Sequence, residues 1–152
     1  MNPTRLLTRI LATGLAIAAA ATLTAFGSND VTKTRIERSL APTFANLYVQ
    51  RSLILGETGV TTAGVTATAS CDRGGPKVPD VGPGADWICM VTYHDDHNQV
   101  QNGKFELQVK ADCTYVAGGP SKLVGLATIT NTAGKDAPNP AFEFDGAFDP
   151  HG

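Results

Sequence analysis

Three rhythms of apolar positions succeed one another along the chain. The first is an alanine-rich apolar run of seventeen residues from Ile10 to Phe26. The second begins at Val31, where Ile36, Leu40, Phe44 and Leu47, followed by Ile54 and Leu55, recur mainly at steps of three and four. Side chains at that spacing share one side of a helix, so the pattern predicts an amphipathic helix over 31–55. Pro42 interrupts it, and its missing N–H and crowding of the preceding turn predict a kink or a second segment. Gly56 is the expected stop, because glycine enters the left-handed conformation that closes helices at little steric cost. The third rhythm starts at Val60, where the period falls to two and β-branched residues accumulate. Strands are predicted over 60–70, 87–93, 105–110, 126–131 and 141–144. One helix followed by a run of strands makes an α+β fold, with the N-terminal helix packed on an antiparallel sheet of about four to five strands. Most of the 16 glycines and 9 prolines follow Gly56, consistent with many turns and short strands.

Charge changes the meaning of the first rhythm. Arg5 and Arg9 precede the apolar run and the first acid is Asp30, the layout of an export signal over 1–27. Its length is at the short limit for crossing a hydrocarbon core of roughly 30 Å. It therefore reads as a cleaved signal peptide, cut after Ala25 or Gly27; left uncut, it would be a short membrane anchor. Leu23-Thr24-Ala25 followed by cysteine would form a lipobox, but the next residue is Phe26, which has no thiol to lipidate. Removing the leader takes away two of twelve basic residues and none of fourteen acids, leaving a formal charge of −4 that argues against nucleic acid. Residues 28–152 then form a single α+β domain, secreted or extracytoplasmic, touching a membrane only through an uncleaved leader.

Export makes the three cysteines candidates for disulfides. Cys71 and Cys89 bracket a Gly- and Pro-rich loop, and pairing them closes about 19 residues and stabilises by about 3 kcal/mol. The seventeen residues between them do not make a C-x-x-C redox centre. Cys113 is the odd one, a free thiol that is buried, reactive or paired between molecules. Trp87, two residues before Cys89, is expected at the core or its rim. His94-Asp95-Asp96-His97 offers metal-ligand types, and zinc is the ion they suggest. So tight a cluster on a hairpin loop reads first as a solvated turn. Asp80, Asp86, Asp145 and Asp149 lack the regular spacing of a calcium loop. The loop after Cys71 lacks the Lys-Ser/Thr ending of a phosphate loop. No G-x-S-x-G occurs, and no serine or cysteine stands in a Ser/His/Asp or Cys/His context, so neither an enzyme nor a cofactor is expected.

APTFANLY (Ala41 to Tyr48), CDRGGPKVPDVGPGADWIC (Cys71 to Cys89), GGPSKLVG (Gly118 to Gly125) and NPAFEFDGAFD (Asn139 to Asp149) resemble a family of small exported actinobacterial proteins, mostly lipoproteins, with no assigned function. The resemblance covers nearly all of the mature chain. It implies a lipobox cysteine at the end of the signal and an FDGCFD motif whose cysteine bridges to the one matching Cys113. Phe26 and Ala147 stand at those two positions here, leaving Cys113 as a free thiol. The functional expectation is a non-catalytic extracytoplasmic cell-envelope or secreted interaction module with an envelope or extracellular protein partner. The alternatives are a small-ligand or metal-binding secreted protein and, after these, a secreted enzyme. An interaction module should show an exposed apolar or aromatic patch, for which Tyr48, Trp87, Tyr93 and Phe148 are the expected contacts. Lys33, Arg35, Arg38 and Arg51 give the helix a second use, facing anionic lipid.

Overall fold

Thr32 starts the first helix. Its Oγ1 accepts from the Arg35 backbone N–H at 3.4 Å, satisfying one of the donors that a helix N-terminus leaves unpaired. In the computed structural model, which describes residues 30–149, helix α1 runs over Lys33–Leu55. The expected leader over 1–27 lies outside the described residues. Among those residues no helix is long and apolar enough to cross a membrane. Gly56 ends α1 at φ 79°, with its N–H and that of Glu57 returning to Leu53 O and Ser52 O. Pro42 neither breaks the helix nor starts a second one. It faces solvent, where the Arg38 carbonyl deprived of an N–H partner is open to water.

The sheet is an antiparallel meander in the order β1-β2-β3-β4-β7. Its strands are β1 (Thr68–Asp72), β2 (Gly84–His94), β3 (Val100–Val109), β4 (Thr114–Gly118) and β7 (Glu143–Ala147). Between β4 and β7 the chain makes the short helix α3 (Ser121–Val124) and a separate two-stranded sheet of β5 (Thr128–Thr130) and β6 (Asp136–Pro138). The α+β reading holds, with five strands in the main sheet.

Several boundaries move. The strand expected over 60–70 begins only at Thr68, because Thr62–Val65 form the short helix α2. Thr61 Oγ1 caps α2 by accepting from Gly64 N–H, and Thr66 ends it at φ 42°. The strand expected over 126–131 shrinks to β5 and pairs outside the main sheet. The one expected over 141–144 begins two residues later. Strand β4 was not anticipated.

Three of the connections are the same turn. Asn98 N–H bonds to Asp95 O, Cys113 N–H to Lys110 O and Gly134 N–H to Asn131 O. Each loop is closed by a bond from the first residue's N–H to the carbonyl one position further on, Gln99, Thr114 or Lys135. These are three-residue hairpin loops with a type I turn followed by a left-handed residue. Asn98 (φ 57°), Cys113 (φ 64°) and Gly134 (φ 73°) hold that last position.

Alternation along the strands sends Cys71, then Trp87, Cys89, Val91 and Tyr93, then Phe105, Leu107 and Val109, inward onto α1. Tyr115, Ala117 and Phe144 complete the sheet's contribution, while Ile36, Leu40, Phe44 and Tyr48 supply the helix's. The register sets Tyr115 opposite Gly146, and the ring lies where a Cβ at 146 would be, so only glycine fits there.

Candidate functional site

The helix covers one face of the sheet and leaves the other to solvent, as antiparallel sheets commonly allow. Register orders the outward residues into rows. One crosses all five strands as Asp72, Ile88, Glu106, Gly118 and Glu143. A second sets Gln108, Val116 and Asp145 side by side, and a third Ser70, Met90 and Lys104. Met90 is 42 % exposed on β2, with Ile88 partly exposed two residues away on the same strand; Val116, also partly exposed, stands two strands over in the row of Gln108 and Asp145. Met90 and Ile88 thus form a small apolar spot on β2, separated from Val116 by the polar outward residues of β3.

The residues expected to contact a partner lie elsewhere. Trp87, Tyr48, Tyr93 and Phe148 are all buried. This corrects their expected role: large aromatic rings are the main supply of core area in a domain of this size, and the inward strand positions take them. Trp87 Nε1–H donates to Gly82 O at 3.0 Å, and the Arg73 guanidinium lies over its ring. Arg73 also donates to Val81 O and to Asp86 Oδ1, so it shapes the loop bracketed by the two bridged cysteines. Phe148 stacks on Tyr115. Tyr48 and Tyr93 pack together with ring centroids 5.1 Å apart. Burial raises the pKa of both hydroxyls, and that of Tyr93 has no hydrogen-bond partner among the described residues.

Cys71 and Cys89 are disulfide-bonded across directly opposed positions of β1 and β2, with Cα atoms 4.0 Å apart. The Cys71 N–H turns away from β2 and donates to Glu37 Oε1 at 2.8 Å, so a carboxylate of α1 occupies part of the sheet's β1 edge. Cys113 is free and buried, with its thiol pKa raised chiefly by desolvation. The ladder sets Thr114, not Cys113, opposite Ala147, while Cys113 O accepts from Phe148 N–H.

Of His94, Asp95, Asp96 and His97, the last three bring ligand atoms within 4.8 Å of one another, and His94 turns its Nδ1 to Thr66 Oγ1 at 2.7 Å. Asp95 is occupied by the hairpin. Its Oδ1 accepts from the N–H groups of His97 and Gln99, and its Oδ2 from Gln101 Nε2. Asp80, Asp86, Asp145 and Asp149 do not converge; Asp80 accepts from Arg73 N–H and Asp86 pairs with Arg73. Three of the four basic residues on α1 are committed within the domain: Lys33 to Glu37 and Asp80, Arg35 to Asp30, and Arg51 to Glu57. A groove of about 280 Å³ between α1 and the end of β7 includes the fourth, Arg38, over a floor formed in part by Pro42, Ala147 and Phe148.

The structural roles of two polar residues, Arg51 and Asn139, are not legible in the sequence. Arg51 Nε and Asn139 Nδ2 both donate to Val124 O at 2.8 Å, clamping α3 to the helix and to the segment before β7. Only the tertiary fold brings them to one carbonyl.

Three surface carboxylates are held below their ordinary pKa. The Arg73 guanidinium does so for Asp86 and the Thr114 hydroxyl for Asp112. At Asp95 desolvation opposes the shift, and bonds from Gln99, Gln101 and His97 outweigh it. A carboxylate whose folded pKa lies below its unfolded value stabilises above the unfolded value, and that stabilisation is lost as pH falls through the folded one. Thermal midpoints should therefore be level from neutrality to about pH 5 and fall below about pH 4. A midpoint unchanged at about pH 2.5 would contradict the assignment.

Comparison of the chain with protein-family models, with curated proteins and with solved structures finds no match. The disulfide is consistent with an extracytoplasmic protein.

Proposed function

We propose that the protein is a non-catalytic extracytoplasmic interaction module whose contact surface is the open face of the five-stranded sheet. The observation that carries this reading is Met90, a large apolar side chain 42 % exposed on the outward side of β2, with Ile88 partly exposed two residues away on the same strand. Exposing Met90 and Ile88 costs free energy that docking would recover. The basic start and apolar run of the leader, and the resemblance to exported actinobacterial proteins, support placing it in the cell envelope or the medium. A partner is then an envelope or extracellular protein.

The test is site-specific photo-crosslinking of the full chain expressed in an actinobacterial host. A photoreactive residue at position 90 should give a discrete crosslinked product. The same residue at Leu53, 65 % exposed on the helix, should not. Equal yields at the two positions, or none at either, would reject the open face as the contact surface.

A further inference from the structure

We infer that the partner of this face is a basic polypeptide, one of whose lysine or arginine side chains lies over Gly118 between Glu106 and Glu143. The inference rests on the reading of the open sheet as the contact surface and adds the chemistry of what covers it.

The first argument is the distribution of charge. Beyond residue 29 the chain holds 14 acids and 10 basic residues. Five of those acids, Asp72, Asp86, Glu106, Glu143 and Asp145, and one base, Lys104, belong to the outward set of the strands. Lys110, just beyond the end of β3, lines a groove with Val116 and Asp145, so the face holds these five acids against two bases. Arg73 reaches Asp86 from the adjoining loop, and Lys104 meets Glu106 at 3.3 Å. Glu143 and Asp145 make no ion pair among the described residues. A face with an acidic excess steers cationic partners toward it. It disfavours nucleic acid and anionic lipid by the same sign of field.

The second argument is shape. Glu106 and Glu143 lie in one row with Gly118 between them, so their backbones are two strand spacings, about 10 Å, apart. Gly118 projects nothing into the gap, and a Cβ built on it would meet no atom within 4 Å. The gap belongs to a groove of about 270 Å³ that Gln108 and Val116 also line. An ammonium or guanidinium group can sit there between two carboxylates with its methylene stem along Val116, the arrangement long basic side chains favour. Lys104 places a repulsive charge beside Met90, where the partner should be apolar.

The full chain, carrying the photoreactive residue at position 90 in the exporting host, tests this when the crosslinked segment is sequenced by mass spectrometry. The attached segment should carry net positive charge. Its yield should fall roughly tenfold in the double variant Glu143→Lys/Asp145→Lys. Gly118→Val should reduce the yield similarly without touching any charge, because it fills the gap. Its thermal midpoint, expected to be no lower than that of the parent, shows that the fold survives. Should Gly118→Val fail to fold, the two exposed lysine substitutions still decide. A neutral or acidic segment, a lipid or glycan adduct, or a yield indifferent to both lysines would overturn the basic partner while leaving the face as a contact surface. A yield at position 90 no greater than at position 53 would instead remove the contact reading itself.

Discussion

Phe44→Ala is expected to destabilise the domain by about 3–5 kcal/mol and to lower its thermal midpoint by roughly 15 °C. Phe44 is fully buried at the centre of the helix–sheet interface. Its ring lies 4.8 Å from that of Tyr93, 5.2 Å from Phe105 and 5.7 Å from Tyr48, the first two edge-on. Truncation loses the transfer free energy of the ring and leaves a void whose walls belong to two layers, which cannot both collapse into it. The void would also lie against Tyr93, whose buried hydroxyl has no hydrogen-bond partner among the described residues. Leu47→Ala, at a partly buried position on the same helix, removes less area and serves as a comparison, with a loss of about 1–2 kcal/mol. Urea denaturation of the exported protein measures both. A Phe44→Ala loss below that of Leu47→Ala would show that the helix is not anchored through this cluster.

How far such an interface can be read from the sequence depends on which periodicity writes it. The stripe Ile36, Leu40, Phe44 was legible because a helix repeats on a scale that its own residues reveal. Phe105 and Tyr93 were legible as strand residues, but whether either faced α1 or a partner depends on strand register, which local pattern does not encode. Hence Tyr48, Trp87, Tyr93 and Phe148 read equally well as contacts and as core. At Pro42 the second segment, one of the two outcomes expected, does not occur, because α1 runs unbroken through it. The rule that proline disrupts helices assumes that the bereft carbonyl is costly, and at a solvent-facing position it is not.

Strand β4 shows the same limit in a turn. Asp95 and Asn131 open their hairpin loops with a side chain that accepts from backbone N–H groups two and four residues ahead. Those loops end on Asn98 and Gly134, residues that accept positive φ readily. The loop between β3 and β4 has the same backbone bonds, but Lys110 opens it and Cys113 closes it. A cysteine at φ 64° is a poor advertisement for a turn, and without the turn the strand after it went unseen. The comparison also explains the metal-like cluster: Asp95 is the opening residue of a hairpin, as Asn131 is in another. The open face was the least legible feature, because its acids at 72, 86, 106, 143 and 145 are scattered along the sequence and only the meander gathers them.

Replacing both bridged cysteines by alanine should lower stability by about 3 kcal/mol, second only to the loss at Phe44, but by a different route. The cysteines are 18 residues apart in sequence and already neighbours through the β1–β2 ladder, so in the folded state the bond constrains what hydrogen bonds also constrain. Its larger effect falls on the unfolded chain, which it prevents from exploring open-loop conformations. Trp87 and Arg73 keep the intervening loop in place without it, through bonds to Gly82 and Val81 and the ion pair with Asp86. The Cys71→Ala/Cys89→Ala variant should therefore keep its folded-state circular dichroism. Its denaturation slope should increase, because the freed unfolded chain exposes more surface, whereas Phe44→Ala should leave the slope unchanged. The third cysteine supplies an internal check: Cys113 is buried, so alkylation of the native double variant should remain slow and accelerate only with unfolding. Equal midpoints with and without the bridge would mean that the β1–β2 pairing persists in the denatured ensemble, leaving the disulfide no entropy to remove.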